Sequence, residues 1–63
     1  MPDVSVVIPM KNEAGNAAEL IAGIVEHCSD VELEVIVIDD ASTDGTAEIV
    51  LGMAANNPAI RLL

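Results

Sequence analysis

Val35-Ile36-Val37-Ile38-Asp39-Asp40-Ala41-Ser42-Thr43-Asp44-Gly45-Thr46 is the stretch on which the fold turns. Four consecutive β-branched residues without polar alternation read as a strand covered on both faces, the habit of parallel sheets in α/β domains. Strands of that kind carry their chemistry at the carboxyl end, and here that end holds two adjacent acids. Side chains alternate across a strand, so Asp39 and Asp40 cannot both face the same way. One is expected to face a crevice and the other the loop or neighbouring backbone. Beyond them, Ser42 or Thr43 is a natural helix N-cap, with Asp44 in the first turn and Gly45 allowing close backbone approach.

Working outward, Val4-Ser5-Val6-Val7-Ile8 is a second β-branched run, ended by Pro9, whose missing N–H suits a strand end or an edge. The loop Pro9-Met10-Lys11-Asn12-Glu13 leads to a helix whose apolar positions Ala17, Leu20, Ile21, Ile24, Val25 and Cys28 lie on one face. Glu13 sits in or near that helix's first turn, where the dipole favours a carboxylate. Ser29 and Asp30 close the helix. Downstream, Ala47, Val50, Leu51 and Ala54 give a second apolar stripe, Asn56-Asn57-Pro58 ends it, and Ile60-Arg61-Leu62-Leu63 begins a third strand. The order is β-α-β-α-β in a single unit over residues 1–63. Right-handed crossovers between strands that step in one direction place both helices on one face of the sheet. The other face is then left with an aliphatic patch, and such patches mark an interface or a missing part. Two outcomes are therefore expected: the chain is the first, incomplete part of a larger fold, or it forms a homo-oligomer through the exposed sheet face or edge.

Composition narrows the partners. Eleven acids against two bases give a net charge of −9, which disfavours nucleic-acid phosphate and anionic membrane as partners. Hydrophobic residues make up 52% without a Phe, Trp or Tyr, so the core must be aliphatic and no base can stack on a ring. The one cysteine, Cys28, cannot form an internal disulfide, which fits a reducing compartment. No apolar run reaches the roughly 18 residues of a membrane span, and no basic start leads into a signal peptide. A cytoplasmic location is expected, with membrane association left open for a longer parent protein.

Val4-Ser5-Val6-Val7-Ile8-Pro9-Met10-Lys11-Asn12-Glu13, followed by Glu34-Val35-Ile36-Val37-Ile38-Asp39-Asp40-Ala41-Ser42-Thr43-Asp44-Gly45-Thr46, resembles the start of family 2 glycosyltransferases. The two motifs, their order and their spacing agree together, where an isolated Asp-Asp would carry little. The resemblance implies a Rossmann-like parallel sheet forming the N-terminal portion of a GT-A nucleotide-sugar-binding fold. It also implies that the partner is a UDP- or GDP-linked sugar. Pro9, Asn12 and Glu13 would line the nucleoside pocket with Asp39 and Asp40. Asp40 would accept a hydrogen bond from the imide N–H of uracil or guanine, and Asp39 would support the loop. A carboxylate suits that donor, because a charge-assisted bond is short and bases without the imide N–H cannot make it. Lys11 departs from the family pattern, in which an aromatic residue is common at that position. The family's Asp-x-Asp motif, which holds a divalent cation (Mg or Mn) on the diphosphate, its catalytic base and its acceptor site would all lie beyond residue 63. No catalytic or metal-binding residue is therefore expected within this chain, and the chain alone is expected to transfer no sugar.

Blander roles compete at each position. Asp39-Asp40 could be a solvated loop at a helix start, and Glu13 a helix cap. His27 and Cys28 are adjacent on a helix, so they point about 100° apart and make a poor metal pair. Met1 reads as an initiator, Met10 as a loop residue and Met53 as a packing residue. A dinucleotide-binding half-domain would need a Gly-x-Gly-x-x-Gly turn where this chain has Pro-Met-Lys-Asn-Glu. A phospho-acceptor signalling domain would place its acidic pair after the first strand rather than the second. A non-catalytic, self-associating structural remnant without ligand is the remaining alternative.

Overall fold

The computed structural model describes residues 2–63; Met1, the expected initiator, lies outside the described residues. Five elements follow in order: β1 (Val4–Met10), α1 (Ala17–His27), β2 (Leu33–Asp39), α2 (Thr46–Asn56) and β3 (Ile60–Leu62). The strands are parallel and lie side by side as β1-β2-β3. The register between β1 and β2 runs without a slip from Val4 opposite Leu33 to Met10 opposite Asp39. This is the α/β, Rossmann-like β-α-β-α-β arrangement expected from the pattern of apolar runs.

The β-branched stretch behaves as its composition demands. Val35 and Val37 are fully buried, and with Met10 and Ile60 they form the sheet's contribution to the core. Ala17 and Ile21 of α1 and Val50 of α2 meet them, so both helices lie on one face of the sheet. Ile24, Val25, Ile49, Met53 and Ala54 pack around this centre. The opposite face carries Val7 at 55% exposure and Ile38 at 42%, so the aliphatic patch expected there is present. Its charged strand residues, Glu34 and Arg61, pair with each other at 3.3 Å, and Ser5 Oγ donates to Glu34 at 2.9 Å.

Several local expectations are corrected. β1 does not stop at Pro9 but runs through it to Met10. The reason lies in the edge: the Met10 carbonyl accepts the Asp40 amide at 2.8 Å, so Met10 turns its polar backbone toward β2 and Pro9 turns its nitrogen to the free side. No ladder bond is lost there. Met10 is accordingly a buried strand residue, not a loop residue. Leu20 and Leu51 are 47% and 55% exposed, because three strands are too narrow to cover the flanks of either helical stripe. Cys28 is only half-buried and caps the end of α1, donating its amide to the Ile24 carbonyl.

The helix starts are corrected as well. α2 begins at Thr46 with Gly45 as its N-cap, so Asp44 precedes the helix, and neither Ser42 nor Thr43 caps it. Gly45 is required by its φ of +91°, a conformation that strains any side chain, and not by crowding, since a Cβ there would meet only Glu48 Oε2 at 3.8 Å. α1 begins at Ala17, four residues after Glu13, and the Glu13 backbone carbonyl rather than its carboxylate accepts the Asn16 and Ala17 amides.

These burial differences make a direct test. Ile21→Ala is expected to destabilise the fold by about 2–5 kcal/mol, as truncation of a buried aliphatic does. Leu20→Ala next to it should stay within about 0.5 kcal/mol, as at a surface position. Urea unfolding of both variants measures the contrast.

Candidate functional site

The register of β1 and β2 brings two loops to one end of the sheet. The first, residues 11–16, follows Met10; the second, residues 40–45, follows Asp39. Beyond the Asp40 and Asn16 amides, which donate to the Met10 and Glu13 carbonyls, loop amides that no ladder or helix reaches need side-chain partners. Three successive amides of the first loop find theirs in and just after the second. Asn12 N–H donates to Ser42 Oγ at 2.8 Å, Glu13 N–H to Thr46 Oγ1 at 2.9 Å, and Ala14 N–H to Asp44 Oδ2 at 3.0 Å. In return Thr43 N–H donates to Asn12 Oδ1 at 2.9 Å.

Behind the two hydroxyls stand two carboxylates. Ser42 Oγ–H donates to Asp39 Oδ1, and Thr46 Oγ1–H donates to Asp44 Oδ1 at 2.5 Å. Each relay therefore runs from a first-loop amide through a hydroxyl to an acid. Asp44 also accepts the Thr46 amide at 3.2 Å, which satisfies a donor at the start of α2. Asn12 and Ala41 take left-handed backbone conformations, with φ of 53° and 56°, so both loops turn sharply where they meet.

The adjacent acids divide as the strand alternation requires. Asp39 is half-buried and held by Ser42. Asp40 is exposed, and its carboxylate has no hydrogen bond or ion pair among the described residues. The Glu13 carboxylate is likewise exposed and without a partner among them. Pro9 is exposed on the open face of the sheet beside Ile38, its register partner. The five residues singled out from the sequence thus gather at one end of β1 and β2, but with unequal freedom. Asn12 and Asp39 are engaged in holding the loops, whereas Glu13 and Asp40 present unengaged carboxylates. Sequence reasoning missed the parts played by Thr46 and by Asp44: both partners of each bond lie about thirty residues apart, and no local pattern signals that.

The corner is an open rim. Grooves of about 480 and 420 Å³ lie elsewhere, one beside β1 and α1 around Leu20 and Ile24, the other between the helices around Val25 and Met53. Among the described residues no three His, Cys, Asp or Glu side chains converge to hold a metal ion. His27 Nδ1 instead donates to its own helix, at the Gly23 carbonyl, 2.9 Å away. No helix among the described residues is long and apolar enough to cross a membrane.

Hydrogen bonds from the Thr46 hydroxyl and the Ala14 amide hold the Asp44 carboxyl below its ordinary value. A depressed folded-state pKa contributes stability above the unfolded value, near 4, and loses it as pH falls through the folded value. The stability difference between the wild type and Asp44→Asn should therefore be full at neutral pH and shrink as pH drops below about 4. Urea midpoints measured from pH 7 to pH 3 check this.

Comparison with known proteins now bears on the corner. Residues 5–63 match the family described as Glycosyl transferase family 2. An undecaprenyl-phosphate 4-deoxy-4-formamido-L-arabinose transferase of Edwardsiella ictaluri is 39% identical over 62 residues, covering 95% of this chain and 19% of that protein. A chondroitin synthase of Pasteurella multocida is 33% identical over 70 residues, covering the whole chain and 6% of that protein. Among solved structures, a mannosyltransferase from Pyrobaculum calidifontis in complex with GDP-Man and Mn2+ superposes with a TM-score of 0.77 at 41% identity, covering 98% of this chain and 18% of that one. The chain spans less than a fifth of the length of these relatives, and the fold matches that of a GT-A glycosyltransferase. With nearly its whole length inside the matched region, the chain belongs to glycosyl transferase family 2.

Proposed function

We propose that this chain is the N-terminal part of a GT-A catalytic domain and that its acidic corner binds the nucleoside portion of a UDP- or GDP-linked sugar. In the longer protein that sugar is transferred to an acceptor, with a divalent cation held by residues outside this chain. The observation that carries the reading is the contrast between the two acids: Asp39 is engaged by Ser42, while Asp40 stands exposed and unengaged at the carboxyl end of β2, beside the loop that follows β1. Ligands of open α/β sheets sit at that end of the strands. GDP-Man in the Pyrobaculum structure supports the nucleotide class.

In this reading Asp40 accepts the imide N–H of uracil or guanine. Glu13 and Pro9 line the pocket, and Asn12 and Asp39 fix the loops around it. In this reading the group that stabilises the departing diphosphate belongs to the longer protein, and the 63-residue chain binds without transferring. Calorimetric titration of the 63-residue chain should detect UDP or GDP and not ADP, whose base has no imide donor. Asp40→Asn should weaken binding roughly ten- to hundred-fold, the loss of one hydrogen bond to a charged acceptor. Equal binding of ADP, or no effect of Asp40→Asn, overturns the assignment.

The uncovered sheet face favours a second reading, in which the isolated chain self-associates as a structural unit. Val7, Ile38 and Leu63 are 55%, 42% and 75% exposed. The face's charged strand residues neutralise each other, so on a chain of net charge −9 it is a surface of low mutual repulsion. Sedimentation should then show species above the monomer mass, and Ile38→Lys should return them to monomers. A wild-type monomer with one cooperative unfolding transition refutes this reading.

A further inference from the structure

We propose that Thr46 and Asp44 are positioning residues for the nucleoside site, holding the loop that carries Glu13 at a fixed spacing from Asp40 before any ligand arrives. The inference rests on the nucleoside-binding reading above. Thr46 is fully buried, and it is the one buried polar residue among those described. Its hydroxyl is used in both senses, accepting the Glu13 amide and donating to Asp44. Capping α2 does not require this arrangement, because Asp44 Oδ1 already accepts the Thr46 amide. The further bonds, from the amides of Glu13 and Ala14, come from a loop 33 and 30 residues away in sequence.

Glu13 carries an unengaged carboxylate on the same residue whose amide is tied down, so fixing the amide fixes where the carboxylate starts from. A loop left free would have to be ordered by the ligand at the moment of binding, and that entropy would be subtracted from affinity. The Asn12–Ser42–Asp39 relay does the same a residue earlier, but Asn12 and Asp39 are themselves assigned to the pocket. The Thr46 arm can be altered without touching a proposed ligand contact.

The test titrates the 63-residue chain with UDP and with GDP, at a temperature where circular dichroism shows every variant folded. Thr46→Val keeps the shape and removes the hydroxyl; it should weaken binding roughly three- to ten-fold, the effect of one lost neutral hydrogen bond. Hydrogen exchange at the Glu13 amide should accelerate in the same variant. Thr46→Ser should restore both readouts. Val50→Ala, which loosens the core of the same helix, should lower stability and leave affinity unchanged. If Thr46→Val does not fold, Asp44→Asn takes its place with the same expectation. Wild-type affinity in Thr46→Val, or in its substitute, overturns this inference and leaves the nucleoside reading standing, and so does an equal loss in Val50→Ala. Failure of the wild type to bind either nucleotide overturns both.

Discussion

Everything at the candidate site depends on the parallel pairing of β1 with β2 in a register that puts Met10 opposite Asp39. A shift of one residue would turn Val35 and Val37 out of the core and move Asp40 to the helix side, since strand side chains alternate. Two features hold the register: the buried set Met10, Val35, Val37 and Ile60 matches the buried faces of α1 and α2, and the Asp40 amide closes the ladder on the Met10 carbonyl. The two loops at that end then emerge as neighbours. Their contact is a consequence of the ladder, and the site is a consequence of their contact.

At that contact, polar side chains divide their labour. Asn12, Asp44 and Thr46 spend their hydrogen-bonding capacity on backbone amides and on each other, and Asp39 spends its own on Ser42. Ser42 joins them as the intermediate hydroxyl. This satisfies amides that no helix or sheet reaches, and unsatisfied amides are costly wherever water is excluded. What remains outward is a pair of carboxylates, Glu13 and Asp40, on a rim whose loops are hydrogen-bonded to each other. The clustering of acids is thus not a uniform negative patch. Some are structural partners of the loops, and two are free to meet a donor from outside.

The fold was legible in the sequence because its signals are local and strong. A run of β-branched residues makes β2, and the spacing of Ala17, Ile21, Ile24 and Val25 places the covered face of α1. Periodicity marks a stripe but not its width, so Leu20 and Leu51 read as core although a three-stranded sheet leaves them at its margins. The cap of α2 misled for a different reason. Ser42 and Thr43 are favourable N-cap residues by type, yet across the loops the Ser42 hydroxyl accepts the Asn12 amide and the Thr43 amide donates to Asn12 Oδ1. A partner thirty residues away leaves no trace in a local window. The alternation of Asp39 and Asp40, by contrast, needs only strand geometry, and the two side chains do diverge, Asp39 to Ser42 and Asp40 to solvent.

The uncovered face and the site are linked through the same narrow sheet. Parallel sheets are ordinarily covered on both faces, and β2 has the continuous aliphatic composition of a strand built for that. Here Ile36 and Ile38 face away from the helices, with Val7 and Pro9 beside them on β1 and the Glu34–Arg61 pair on the same face. Pro9 belongs to both regions: its side chain lies on the open face, and it immediately precedes the residue that anchors the ladder's end. Whatever covers the face therefore packs directly beneath the first loop. The open face and the rim therefore share the end of β1, where Pro9 faces one and the Met10 carbonyl closes the ladder beneath the other.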